Sequence, residues 1–388
     1  MTRYEATRVS GLTQSDIRLM SRRCMDVGGV NLGQGICDQP TPQAIKEAAK
    51  SAIDDDRSIY SKYEGIDPLR HAIAHKMDTY NHVPCDPDTE LLVSAGSTGA
   101  FVAAVFSFIE PGDEVVLFSP FYGYHYNVLR MAQPDIKSVT LRGEEWSFTD
   151  EDLDAAFSSK TKAIIINTPC NPCGKVFTRE ELNRIAKRCL EHDVLVITDE
   201  IYEYILYDGR EHISMASLPQ MQDRTITISG FSKTYNMTGW RLGYAVAPEP
   251  LTSKMGVVAD LLYICAPTPL QHGVLAAFDL PPSYYTEMSA DYARKREISM
   301  AACNGVGLRS LPPQGSYYLM VDVREAGFSS DVEAADALLD QCGVAMVPGS
   351  SFYINPEDGM YQLRLCFAKK DEDLQRACKN LGSLRRED

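Results

Sequence analysis

Positive charge is scarce in this sequence: 38 Lys+Arg stand against 53 Asp+Glu, for a formal net charge of −15. That balance opposes general attraction to phosphate backbones or anionic lipid, so neither nucleic acid nor a membrane surface is an expected partner. Long apolar runs are missing too, and none reaches the roughly 18 residues that a membrane span requires. The opening stretch MTRYEATRVSGLTQ lacks the apolar core of a secretion leader, which makes a cytoplasmic location the expectation. Cys170 and Cys173 form a C-x-x-C pair, but no second Cys pair or Cys/His pair stands at zinc-like spacing, so no metal is expected and the role of the pair stays open. The 11 Cys read as reduced thiols, many packing as small apolar residues. Internal repeats and low-complexity segments are absent.

What remains is ordinary for a folded protein, with 44% hydrophobic and 23% charged residues. A chain of 388 residues is too long for one small core and suits a large domain with a smaller partner. Between about residues 90 and 250, the apolar runs LLVS, EVVLFSP, AIIINTP, VLVITDE, TITISGF and LGYAVAP alternate with amphipathic stretches. Near-continuous Val and Ile indicate strands buried on both faces, and hence an α/β domain with a mostly parallel sheet covered by helices. Thr178 and Glu181 form a capping-box pattern ahead of Leu182, Ile185, Ala186 and Cys189 at helical spacing, which predicts a helix up to Glu191. After about residue 285 the pattern becomes a long polar helix, the strand SYYLMVDV, a helix near 331–341, the strands VAMVP and YQLRLCF, and a final helix: a smaller α+β domain. The expected division is an N-terminal segment 1–45 packing with the small domain, a large domain 46–285 and a small domain 286–388.

The chemistry centres on Ser229-Gly-Phe-Ser232-Lys233, directly after the strand TITI and followed by Thr238-Gly-Trp-Arg241. A lone Lys after a strand is normally a solvated surface residue. Here the strand end delivers it to the crevice where α/β sheets hold ligands, with hydroxyls and a guanidinium close by in sequence. Those groups suit a phosphate beside an amine. The segment resembles the lysine motif of the class I/II aminotransferases, the fold type I pyridoxal-phosphate enzymes, whose large domain carries a seven-stranded, mostly parallel sheet. The resemblance implies pyridoxal 5′-phosphate as cofactor, Lys233 as its Schiff-base lysine, and Ser229 and Arg241 as phosphate ligands.

Further segments resemble the family in the family's order, from about Gly35 to Arg364. VLVITDEIYEYI is similar to the strand whose aspartate pairs with the pyridinium nitrogen, implying that role for Asp199 and a hydrogen bond from Tyr202 to the phenolic oxygen. On its own, Asp199-Glu200 is merely an acidic strand end. Ile201, two residues along, would pack against the ring. Asn171-Pro-Cys173-Gly matches the Asn-Pro-x-Gly turn, with Cys where Thr is commoner, and implies Asn171 beside the phenolic oxygen and the substrate. Ser97 and Thr98, at the start of an apolar helix, would hold phosphate; the same residues equally suit an N-cap. Tyr122, in Pro-Phe-Tyr, would stack on the cofactor, leaving Tyr124 and Tyr126 to packing. Arg364, in YQLRLCF, resembles the arginine that grips the substrate α-carboxylate, a task its planar fork suits, although Arg in an alternating strand more often faces solvent. Gly35 would approach the same carboxylate. Tyr60 and Gly65, in IYSKYEG, match the segment whose tyrosine reaches the phosphate of a neighbouring subunit, so a homodimer with shared sites is implied. His125 and His272 lie in no matched motif and read as structural.

The function implied is transfer of an amino group from an L-amino acid to a 2-oxo acid by a ping-pong cycle. A C–S β-lyase or an aminocyclopropane-carboxylate-synthase-like enzyme would use the same ring, lysine and aspartate. A cofactor-sensing transcription regulator is the reading from another class; it requires a DNA-binding domain, for which the stretch before Gly35 leaves no room. Side-chain specificity is largely unreadable. Aspartate aminotransferases of the prokaryotic branch often carry Lys where Thr98 stands, and the many Tyr weakly favour aromatic or uncharged side chains.

Overall fold

The computed structural model describes residues 4–10, 12 and 16–385. Of the stretch MTRYEATRVSGLTQ, residues 1–3, 11, 13 and 14 lie outside that description. In chain order the strands are β1 (Val30–Asn31), β2 (Leu91–Ala95), β3 (Glu114–Ser119), β4 (Asp135–Thr140), β5 (Thr161–Asn167), β6 (Leu195–Asp199) and β7 (Thr225–Gly230). There follow β8 (Leu242–Val246), β9 (Arg309–Leu311), β10 (Tyr318–Asp322), β11 (Val344–Ala345), β12 (Val347–Pro348) and β13 (Gln362–Cys366).

Seven of them form one sheet in the order β2-β8-β7-β6-β5-β3-β4. Only β8 runs antiparallel to its neighbours. The Val- and Ile-rich runs are its central strands: Ile164, Ile166, Val196 and Leu182 pack on one face, while Ile165, Ile197, Ile226 and Phe101 pack on the other. Burial on both faces is why these strands show no alternation. The edge strand β4 has no such run, since one side of DIKSVT has no strand partner and most of its residues are only half-buried. The helix Arg179–Glu191 starts where the capping pattern places it: the Thr178 hydroxyl accepts from the Glu181 amide at 3.2 Å, and the Glu181 carboxylate accepts from the Thr178 amide at 2.8 Å. Two amide donors of the first turn are thereby satisfied reciprocally.

The register has one consequence for chemistry. Asn167, Asp199 and Ile228 are aligned across β5, β6 and β7, so the carboxyl ends of these strands share one edge. Strand β2 ends at that edge and leads straight into the helix Gly96–Phe108. Antiparallel β8 begins there, which leaves Arg241 at the same edge as Lys233.

Beyond the large sheet, β12, β13, β10 and β9 form an antiparallel sheet covered by the helices Pro282–Gly305, Asp331–Cys342 and Asp371–Leu381. Leu319, Leu338, Leu363 and Leu374 share its core with Met20, Cys24 and Leu32 of the N-terminal segment. Strand β1 pairs in parallel with β11, Val30 opposite Val344, tying that segment to the C-terminal sheet. Among the described residues, no helix is long and apolar enough to cross a membrane.

Candidate active site

A cavity of about 520 Å³ opens at the carboxyl edge of the large sheet, against the C-terminal sheet and the N-terminal segment. Lys233, three residues past β7, enters it. Its Nζ lies 3.4 Å from the Gly35 carbonyl, and 5.8 Å from the ring centres of both Tyr202 and Tyr317. Burial disfavours the ammonium and lowers the Lys233 pKa to about 8, against the opposing influence of Cys366 and Asp199. Far more free amine is therefore present near neutrality than on an exposed lysine.

Asp199 closes β6 and is buried. One carboxylate oxygen accepts from the Ile201 amide at 3.2 Å, and the other is 2.9 Å from His125 Nε2. The imidazole stands between Phe101 at 4.4 Å and Tyr122 at 5.1 Å. His125 thus has a partner that no motif in the sequence reveals; its position three residues after Tyr122, on the first turn of the helix Gly123–Ala132, is the one available signal. Asn167, also unforeseen, donates to the Asp199 carbonyl at 2.9 Å and accepts from the Asn171 amide at 2.7 Å, fixing the Asn-Pro turn to the strand ends. The Tyr202 and Tyr318 hydroxyls meet at 3.2 Å, and burial pushes both phenols up, that of Tyr318 to about 12, so both stay protonated hydrogen-bonding groups.

At the other end of the sheet edge, no side chain caps the helix Gly96–Phe108 at Ala95; Ser97 and Thr98 line the cavity instead. First-turn amides left uncapped attract an anion. Gly96 has φ +73°, and a Cβ there would collide with the Arg241 guanidinium, so glycine is what lets that cation approach the helix start. Arg241 donates to the Thr238 carbonyl at 3.0 Å, and Thr238 and Ser232 also line the cavity. Ser229 is a correction. Expected among the phosphate ligands, it lies within β7 and points to the sheet's other side, where its hydroxyl donates to Glu203 at 2.7 Å. Glu203 also accepts from Asn81 at 2.8 Å and pairs with Lys76 at 2.6 Å, a buried network outside the cavity. Side-chain alternation along β7 explains the error, and Ser232, past the strand end, takes the cavity position.

The substrate-side wall is built from distant segments. Arg364, in β13, is 1% exposed and lies between the rings of Tyr318 at 4.5 Å and Phe352 at 5.0 Å. It donates to Asn171 at 2.9 Å and to the Gly33 carbonyl, while its Nε has no protein partner. A buried guanidinium with a donor to spare calls for an anionic acceptor. Gly35 packs so closely on the Tyr318 hydroxyl that any Cβ would overlap it. Tyr122 is stacked with Tyr124 at 5.2 Å, and both line the cavity with Ile201. Tyr60 is 74% exposed and does not line its own chain's cavity. His272 also lies outside it, and Cys170 and Cys173 are buried free thiols.

An amine with lowered pKa, a carboxylate, an uncapped helix start beside a guanidinium, and a spare donor on a buried arginine fit pyridoxal phosphate with an amino acid. Together with the doubly covered sheet they define a fold type I pyridoxal-phosphate enzyme. Residues 27–381 match the family model described as aminotransferase class I and II. The chain is 36% identical over 361 residues to an aspartate aminotransferase of Pyrococcus abyssi, covering 92% of each. It is 35% identical over 402 aligned positions to kynurenine–oxoglutarate transaminase 3 of Rattus norvegicus, covering 96% of this chain and 88% of that one. The solved structure of N-succinyldiaminopimelate aminotransferase from Mycobacterium tuberculosis superposes with a TM-score of 0.95 at 33% identity, over 98% of this chain and all of that one. This chain belongs to the class I and II aminotransferases. It is a transferase that uses pyridoxal phosphate to move amino groups.

Proposed function

We propose that the enzyme exchanges an amino group between an L-amino acid and a 2-oxo acid in two successive half-reactions. The observation that carries this reading is the meeting of Lys233, Asp199, Arg241 and Arg364 in one cavity. Pyridoxal phosphate, when bound, supplies an aldehyde that combines with amines and a ring that accepts the electrons left at the substrate Cα. Arg241, Ser97, Thr98 and Ser232 would hold its phosphate. Asp199, steadied by His125, would keep a proton on the ring nitrogen. Asn171 and Tyr202 would sit beside the phenolic oxygen, with Tyr122 and Ile201 packing the ring. Lys233 moves the proton from Cα, a role that a pKa of about 8 suits. Arg364 and the Gly35 backbone receive the α-carboxylate. Given one amino donor and no acceptor, the holoenzyme should release one equivalent of 2-oxo acid per site and stop. Continuing release of pyruvate and ammonia would assign a β-lyase instead.

Tyr60 supports a homodimer with shared sites. The Tyr63 ring packs against Gly256, which lays the segment carrying Ile59 and Tyr60 along the helix Glu249–Tyr263. Ile59 is 80% and Leu261 82% exposed, an apolar face of the kind that marks an interface. Mixing a Lys233→Ala chain with a Tyr60→Ala chain should restore activity if Tyr60 serves the partner's site. A mixture no better than the Tyr60 variant alone would refute sharing. The unpaired state of the cysteines supports a reducing cytoplasm. We read residues 46–285 as the cofactor-binding domain, with 1–45 and 286–388 forming the wall opposite it.

A further inference from the structure

The Gly35 carbonyl, beside which the Lys233 amine rests, has a second donor. Tyr317 Oη donates to the same oxygen at 3.3 Å, while Lys233 Nζ stands 3.4 Å from it. Both contacts are longer than the roughly 2.7–3.0 Å typical of such bonds, as expected where two donors converge on one acceptor. Tyr317 is fully buried just ahead of β10 and does not line the cavity, so it acts from behind the cavity wall. Its ring is boxed in by Tyr202 at 5.2 Å, Tyr318 at 5.0 Å and Tyr292 at 5.7 Å. Its backbone carbonyl accepts from the Phe367 amide at 3.1 Å, so the hydroxyl has little freedom to leave Gly35.

The consequence lies in the charge of the lysine. A carbonyl that faced Lys233 alone would stabilise its ammonium form by a charge-assisted hydrogen bond. One that already accepts from a phenol is a weaker partner for that ammonium. Burial pushes the Tyr317 phenol well above the ordinary tyrosine range, so it stays protonated and keeps donating. Of the other groups facing Lys233, Cys366 of β13, Asp199 of β6 and Cys37 of the N-terminal segment favour the ammonium, while burial and Arg241 oppose it. The Tyr317 hydroxyl joins the opposing side without bringing a charge into the cavity.

We propose that Tyr317 is a positioning residue for proton transfer: by occupying the Gly35 carbonyl, it leaves Lys233 a free amine whose lone pair is open to the substrate Cα proton. The inference rests on the transaminase reading and deepens it. An amine that gives one N–H to Gly35 turns its lone pair away from that carbonyl, and Tyr317 fixes where the carbonyl stands. Three segments far apart in the chain, at Gly35, Lys233 and Tyr317, thus meet at a single oxygen.

The test is the pH dependence of Tyr317→Phe, which keeps the ring and removes only the hydroxyl. In apoenzyme, trace labelling with acetic anhydride and peptide mass analysis read how much Lys233 is present as amine at each pH. The midpoint should move upward by about half a unit to one unit, the size expected when a hydrogen bond to a charged group strengthens. In holoenzyme, the half-reaction with an amino donor near neutrality should slow by about threefold to tenfold and recover as the pH is raised, which a structural defect would not do. Tyr292→Phe is the control: its hydroxyl lies 3.0 Å from Cys37 Sγ while its ring packs on Tyr317, and the midpoint should stay in place. The inference is overturned by a midpoint that stays or falls in Tyr317→Phe, by an equal movement in Tyr292→Phe, or by a neutral-pH rate that is unchanged or does not recover. The apoenzyme measurement needs no turnover, so its outcome is independent of the half-reaction assay that tests the transaminase reading.

Discussion

Asp199, Lys233 and Arg241 each stand at, or within three residues of, a strand end of the large sheet, whereas Gly35 and Arg364 come from near opposite ends of the chain. The first group is gathered by backbone topology: parallel strands bring their carboxyl ends to one edge, and the single antiparallel strand β8 adds the residue before its start. The second group is gathered by tertiary closure, with β1 on β11 and the N-terminal helix on the C-terminal core. On the proposed assignment, the large sheet's edge would hold the cofactor and the wall facing it would receive the substrate.

The contrast can be broken at either wall. Arg364→Leu removes the guanidinium but leaves the sheet edge untouched, so the holoenzyme should still carry cofactor. Every amino donor and 2-oxo acceptor should weaken by a similar factor, about 2–5 kcal/mol for a buried charge pair losing one partner. Steady-state kcat/KM across a substrate panel measures it, and an effect confined to one substrate would move Arg364 out of the common α-carboxylate role.

A smaller effect sharpens the sheet-edge side. Ser229 and Ser232 are three residues apart yet face different surroundings, the Glu203 network and the cavity. Ser229→Ala should cost about 1–3 kcal/mol in unfolding free energy, because Glu203 Oε1 loses its donor in a buried setting, with cofactor affinity unchanged. Ser232→Ala should do the reverse, weakening cofactor retention with little change in stability. Denaturant titration beside cofactor titration separates the two, and loss of cofactor from the Ser229 variant would restore that serine to the phosphate site.

The same division governs how much of the site is legible in the amino-acid sequence. The central strands, the capped helix Arg179–Glu191 and the strand-end positions of Asp199 and Lys233 follow from local periodicity and turn chemistry. The edge strand β4 does not, because a strand paired on one side alone need not be continuously apolar. Placing Ser229 requires knowing the last residue of β7, since one position decides which face a side chain takes. His125 and Asn167 carry no local signal for the cavity, because what brings each there is packing between segments far apart in the chain.

The measurement closest to the central claim is covalent mapping of the cofactor. Reducing the holoenzyme with borohydride and mapping its peptides by mass spectrometry should place the pyridoxyl group on Lys233, with Lys233→Ala carrying none. Finding the group on any other lysine, or on no residue of a fully loaded native enzyme, would contradict the account.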